Sequence, residues 1–177
     1  MRPEHVFKKV IWRSSVEVGE ALERSTTWTI GGVAAIVGLL VSNLDSVAEI
    51  ASLEAIKAAI VLFTLSLLSG AISKQIGMAV AAGVNTLKQT ENLLYSEAGQ
   101  KLMNEMTIEP RQLVKEIAEP FLWPLSWFAR RGGERGLVDY VSSDKRFVKM
   151  LCLQIAFNGL HGLLALAALL VIGLSIG

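Results

Sequence analysis

Apolar side chains along this chain gather in three blocks, and nearly every charge lies between them. The first block occupies residues 28–44, with no charge between Arg24 and Asp45. The second begins near Ala58 and runs uncharged to Ser73; Lys74 and Gln75 interrupt it, and a milder apolar stretch at 76–84 follows. The third occupies 147–177, with Lys149 as its only charge. A helix needs about 20 apolar residues to cross a hydrocarbon layer of ~30 Å. At ~1.5 Å per residue the first block gives roughly 26 Å, a short span, whereas the third exceeds the bilayer. The pattern predicts an all-α integral membrane protein with three transmembrane helices. They fall at 28–44, at 55–84 with an inner extension, and at 147–177, separated by a short outer loop at 45–54 and polar segments at 1–27 and 85–146.

Composition agrees with this division. Of 177 residues 52% are hydrophobic, and a mean hydropathy of +0.48 is too high for a soluble fold of that size. The formal net charge is only +1, so the distribution of charge carries the information, not its total. Residues 1–27 hold five Lys or Arg, 45–54 hold three acidic residues and no basic one, 88–149 hold ten basic residues, and the tail after Lys149 holds none. Because cytoplasmic flanks carry the excess of Lys and Arg, the N-terminus and the long 85–146 segment are expected inside, the acidic loop and the C-terminus outside. Trp12, Trp28, Tyr95, Trp123, Trp127 and Tyr140 all fall on that inner side, where an aromatic belt would sit. The expected location is a plasma membrane or bacterial inner membrane.

Within a bilayer, helices associate through close packing of small residues and through interhelical hydrogen bonds. In the second span Ser69, Ser73, Gly77 and Ala81 form a ridge at four-residue spacing, beside Ser66 and Gly70. The first span offers Gly31 and Ala35, with Ala34 and Gly38. In the third, Gln154, Asn158 and His161 share a face and are expected to point inward, either as interhelical hydrogen bonds or as the lining of a polar path. Lys74 is expected at the inner rim, its stem reaching for the headgroups; deeper in the membrane it would need a partner.

The polar segments predict helices on the cytoplasmic side. Residues 5–24 form an amphipathic pattern suited to the headgroup plane. Residues 85–106 continue a helical pattern that Gly99 weakens, and Thr107 with Pro110 opens another helix that Pro120 ends. The stretch 121–128 is too short to span and too aromatic for a free loop, so it is expected to dip into the inner interface. Trp123, Trp127, Arg130, Arg131 and Arg135 would then meet anionic lipid headgroups. The Arg- and Gly-rich run at 130–136 is expected to be a flexible turn; it lacks the Gly-Lys-Ser/Thr ending of a phosphate loop, and no nucleic acid is expected as a partner.

Catalytic patterns are missing. His5 and His161 stand far apart without ligand companions, and one cysteine, Cys152, excludes an intrachain disulfide. The Gly-Leu-Ser-Ile-Gly at 173–177 matches a nucleophile motif that needs a strand-turn-helix elbow, and here it ends a helix. His161 and Ser175 would lie about 21 Å apart on that helix, beyond any pairing. No catalytic residue, cofactor or metal is expected. The leading expectation is a non-enzymatic subunit of a homo- or hetero-oligomeric membrane assembly, partnered by lipid and by itself or other subunits. Alternatives are an oligomeric pore or permeabilising effector, and a membrane-embedded inhibitor or immunity protein.

Overall fold

The computed structural model describes residues 3–138 and 142–176, and among them all regular structure is helical. The helices are α1 (Pro3–Ser42), α2 (Leu44–Ile50), α3 (Leu53–Tyr95), α4 (Glu97–Glu105), α5 (Pro110–Ala118), α6 (Leu125–Val138) and α7 (Ser142–Ser175). Three of them, α1, α3 and α7, are long and apolar enough to cross a membrane. The chain divides into two compact units, Val16–Ala81 with Met150–Gly177, and Met1–Ser15 with Ala82–Lys149.

The first unit is built from the apolar stretches of α1, α3 and α7. Along α3 the buried positions are Ile56, Ala59, Phe63, Ser66, Ser69, Gly70, Ser73, Gly77 and Val80. Apart from Ser69, which is buried beside Gly70, they follow alternating steps of three and four, a mean period of ~3.5 residues that keeps one seam facing its neighbours. Leu151, Gln154, His161 and Ala168 are buried on α7 in the same rhythm, with Asn158 and Ala165 half-buried between them and Ile172 half-buried one step beyond. On α1 the buried positions Gly19, Thr26, Val33 and Leu40 recur every seventh residue. Val33, Ala59, Phe63 and Ala168 make one apolar cluster, and Leu40, Ala51 and Ile56 another, under the α1–α3 connection. Its interior also holds Thr26, Ser66, Ser69, Ser73, Gln154 and His161, while Leu39, Leu68, Leu163, Leu170 and Leu174 are exposed. Polar residues inside and leucines outside invert the arrangement of a water-soluble fold and fit an apolar solvent.

The connection expected as a loop at 45–54 holds helix α2. Asn43 Nδ2 donates to Leu39 O (2.8 Å) at the end of α1, and Ser52 Oγ accepts from Ala55 N (3.3 Å) at the start of α3. No stop signal separates the amphipathic residues 5–24 from the first span, and α1 runs through both.

In the second unit, α3 ends at Tyr95 and Ser96 caps α4, its hydroxyl accepting from Gly99 N (3.0 Å). The break therefore precedes Gly99 by one turn. Pro110 occupies the first turn of α5, which ends at Ala118 just before Pro120. The Arg- and Gly-rich run at 130–136, expected as a flexible turn, lies inside α6. Two adjacent glycines weaken a helix by ~1 kcal/mol each, and packing explains the presence of one of them. A Cβ on Gly133 would stand 2.6 Å from Val114 Cγ1 of α5, so the glycine is what lets the two helices close. Tyr140 lies outside the described residues.

Candidate functional site

The seam between α3 and α7 is the most organised polar feature of the chain. Three serines on one ridge of α3 donate to three backbone carbonyls of α7. Ser66 Oγ reaches His161 O (2.8 Å), Ser69 Oγ reaches Phe157 O (2.8 Å) and Ser73 Oγ reaches Gln154 O (3.0 Å). Rising numbers on one helix meet falling numbers on the other, so the two are antiparallel in constant register. A serine hydroxyl is short enough to reach a neighbouring backbone only when the helices approach closely, and the glycines permit this. A Cβ on Gly70 would lie 2.8 Å from Ile30 Cγ1 and 3.2 Å from His161 Cγ, and one on Gly77 would lie 2.6 Å from Gln154 Nε2.

His161 is locked at the centre of this seam. Its Nδ1 lies 2.8 Å from Ser66 O, which can only accept, and 2.7 Å from Ser66 Oγ, whose proton is directed at His161 O. Nδ1 must therefore carry the proton. In the neutral ring Nε2 is then a bare acceptor, and it is buried without a hydrogen-bond partner among the described residues. Gln154 shows the same condition: its Nε2 donates weakly to Gly19 O of α1 (3.4 Å), and its buried Oε1 has no partner among the described residues. Between them Asn158 Oδ1 lies 2.8 Å from Thr26 Oγ1 of α1, whose single proton is shared with Leu22 O (2.8 Å).

The expected site residues thus separate into distinct places. Ser66, Gly70, Ser73 and Gly77 meet Gln154 and His161 of α7 directly, Ser69 meets the Phe157 carbonyl between them, and Asn158 turns to α1. The ridge ends on Val80, which is buried, and Ala81 is half-buried. Steps of four residues drift by about 40° each around a helix of 3.6 residues per turn, so a row of such steps leaves the contact that alternating steps keep. Lys74, one position off the seam, is half-buried and forms no ion pair with a described residue. The small residues of the first span face elsewhere: a Cβ on Gly31 or Gly38 would meet nothing within 4 Å, and Ala34 and Ala35 are exposed.

In the second unit the predicted headgroup residues group at the α5–α6 corner. Trp123 is 82% exposed, Trp127 stacks edge-to-face on Phe128 (4.8 Å), and the Arg131 guanidinium lies 4.9 Å from the Trp127 ring centroid. Arg130 Nε binds Glu134 Oε1 (3.0 Å), and Arg135 is exposed. Trp123, Trp127 and Arg130 border an open cleft of about 580 Å³, and Arg131 and Arg135 lie outside it.

Two features had little or no signal in the sequence. Thr26 sits among polar residues and draws no notice except through its seven-residue spacing from Gly19 and Val33. Arg13 binds Glu91 through two parallel bonds (2.6 and 2.7 Å) and Asp144 through Nε (3.2 Å), tying together three helices of the second unit. Its partners are 78 and 131 positions away, and no local pattern announces them. Among the described residues no three His, Cys, Asp or Glu converge as metal ligands, and Cys152 is an exposed free thiol.

Compared with protein-family models, curated proteins and solved structures, the chain has no match.

Proposed function

We propose that this chain is a non-enzymatic subunit of a membrane assembly, with the N-terminus and the 85–146 segment on the cytoplasmic side of a plasma or bacterial inner membrane. The observation that carries the reading is the contrast between two small-residue faces. That of α3 is consumed by α7 within the chain, while Gly31, Ala35 and Gly38 of α1 are left open. Close helix approach is what such a face offers a further transmembrane helix, of a second copy or of another subunit. The exposed apolar residues Met103, Ile117, Phe121, Leu122, Trp123 and Phe128, outside the apolar core of any span, add surface that needs lipid or protein to cover it.

Mild-detergent extraction is expected to give a defined particle several times larger than 19.2 kDa of protein, shrinking when Gly31→Leu and Gly38→Leu are introduced together. A monodisperse monomer without a co-purifying partner would sink the proposal. A pore lined by the α7 stripe is the second reading, and the unpartnered His161 Nε2 and Gln154 Oε1 favour it, since polar atoms inside a membrane bundle commonly mark contact with water. Against it stands the use of Asn158 and the α7 carbonyls by the chain's own helices. Ion flux in liposomes that falls with Asn158→Leu or His161→Leu would favour the pore.

A further inference from the structure

The cleft between α5 and α6 carries a more specific chemistry than a basic membrane-facing surface. Three aromatic rings border it, Phe121, Trp123 and Trp127, over a floor that includes the buried Ala118. Four charged side chains join them, and they balance: Lys115 and Arg130 against Glu116 and Glu119. Arg130 keeps its two Nη groups beyond the Nε bond to Glu134, and Glu116 Oε1 accepts from Gln112 Nε2 (3.1 Å), which holds that carboxylate at the rim. Aromatic faces beside carboxylates attract an ammonium group; Lys and Arg attract a phosphate. The protein already places a cation on Trp127, with Arg131 over its ring. A wholly anionic headgroup would leave the two glutamates opposed to like charge, whereas a group carrying both signs answers both pairs.

We propose that this cleft binds the headgroup of a zwitterionic phospholipid, its ammonium against the rings and the glutamates and its phosphate against Lys115 and Arg130. The arginines outside the cleft, Arg131 and Arg135, stay available to anionic lipid. The cavity, about 580 Å³, falls in the range of small-molecule sites, and the 82% exposed Trp123 at its edge would enter the same interface as the lipid it helps to hold. This inference rests on the membrane placement proposed above, but not on the assembly.

The test uses the full chain purified in an uncharged maltoside detergent, supplied in mixed micelles with phosphatidylethanolamine, phosphatidylcholine or phosphatidylglycerol. Retained lipid is read by native mass spectrometry and binding by tryptophan emission. Either zwitterionic lipid is expected to bind at least tenfold tighter than phosphatidylglycerol. Trp123→Ala with Trp127→Ala should remove about tenfold of that binding, and Glu116→Gln with Glu119→Gln should erase the preference while leaving helical circular dichroism unchanged. The glutamine pair lies at the surface, so it reports on the cleft even if the tryptophan pair disturbs folding. Equal or tighter binding of phosphatidylglycerol by the unaltered chain, or a preference that survives the glutamine pair, overturns the proposal. A monomer that shows the preference would defeat only the assembly reading, and a large particle without it would defeat only this one.

Discussion

At the level of single residues the decisive feature is that the seam uses backbone carbonyls as acceptors, which no side-chain pattern can display. The sequence marks Ser66, Ser69 and Ser73 as a small ridge and Gln154 to His161 as a polar stripe, and the two prove to be halves of one contact. What the pattern cannot supply is the partner of each atom, because helix register depends on approach distance, and that is set by Gly70 and Gly77. Two outcomes follow. Nitrogen NMR of ring-labelled protein in micelles is expected to show the neutral His161 ring with its proton on Nδ1; the opposite neutral tautomer would contradict the two short contacts to Ser66. Gly70→Ala should lower thermal stability by about 1–3 kcal/mol, because the new methyl meets Ile30 Cγ1 and the rigid base of the His161 ring. Gly31→Ala should leave the isolated chain's stability unchanged within about 0.5 kcal/mol, having open space to fill. Equal effects at the two glycines would mean that the seam is not closely packed.

Among the elements, existence was more legible than boundaries. The first span and the residues before it read as two pieces because polarity changes near Trp28, yet a change of polarity does not end a helix. Only a broken backbone or a cap does, and none intervenes in α1. Pro110 and Pro120 are true start and stop signals, and α5 sits close to where they point, whereas the break at Ser96 between α3 and α4 was not read from the sequence, which drew attention to Gly99 instead. In α6, by contrast, Gly132 and Gly133 read as a turn until Val114 of α5 supplies the reason for one of them. The Arg13 cluster makes its own prediction. Asp144 has only 5% of its side chain exposed, so deleting Arg13 strands that carboxylate away from water. Arg13→Ala is expected to cost about 3 kcal/mol, and Arg13→Lys nearly as much as the bidentate pair is worth, roughly 1–2 kcal/mol. Adding Asp144→Asn to Arg13→Ala should restore part of the loss, since the buried charge is then gone. Helical circular dichroism against temperature reads all three, and simple additivity of the two substitutions would show that Arg13 and Asp144 are not coupled.

For the whole molecule, three apolar helices were legible because hydrocarbon imposes its length on any segment that crosses it, whatever that segment does. Function leaves no comparable mark, since a packing seam and a conduit both call for polar residues on one face of a helix. Orientation stands between these two. The proposed orientation rests on the ten Lys and Arg of residues 88–149 and the five of 1–27 against none in 45–54, a bias that insertion machinery reads and a fold does not. It can be tested without knowing the function. Cys152 is the only cysteine, so Cys152→Ser gives a silent background into which single cysteines can be placed. Ser46→Cys in α2 and Ser175→Cys at the end of α7 are expected to react with a membrane-impermeant maleimide on intact cells. Gln100→Cys in α4 should react only after the membrane is opened. Labelling of Gln100→Cys alone on intact cells would reverse the topology, and with it the side from which the α5–α6 cleft meets lipid. Labelling of all three before lysis, in cells shown to be sealed, would mean that the basic segment is not retained inside, and the membrane assembly proposed here would have to be rebuilt from a different number of crossings.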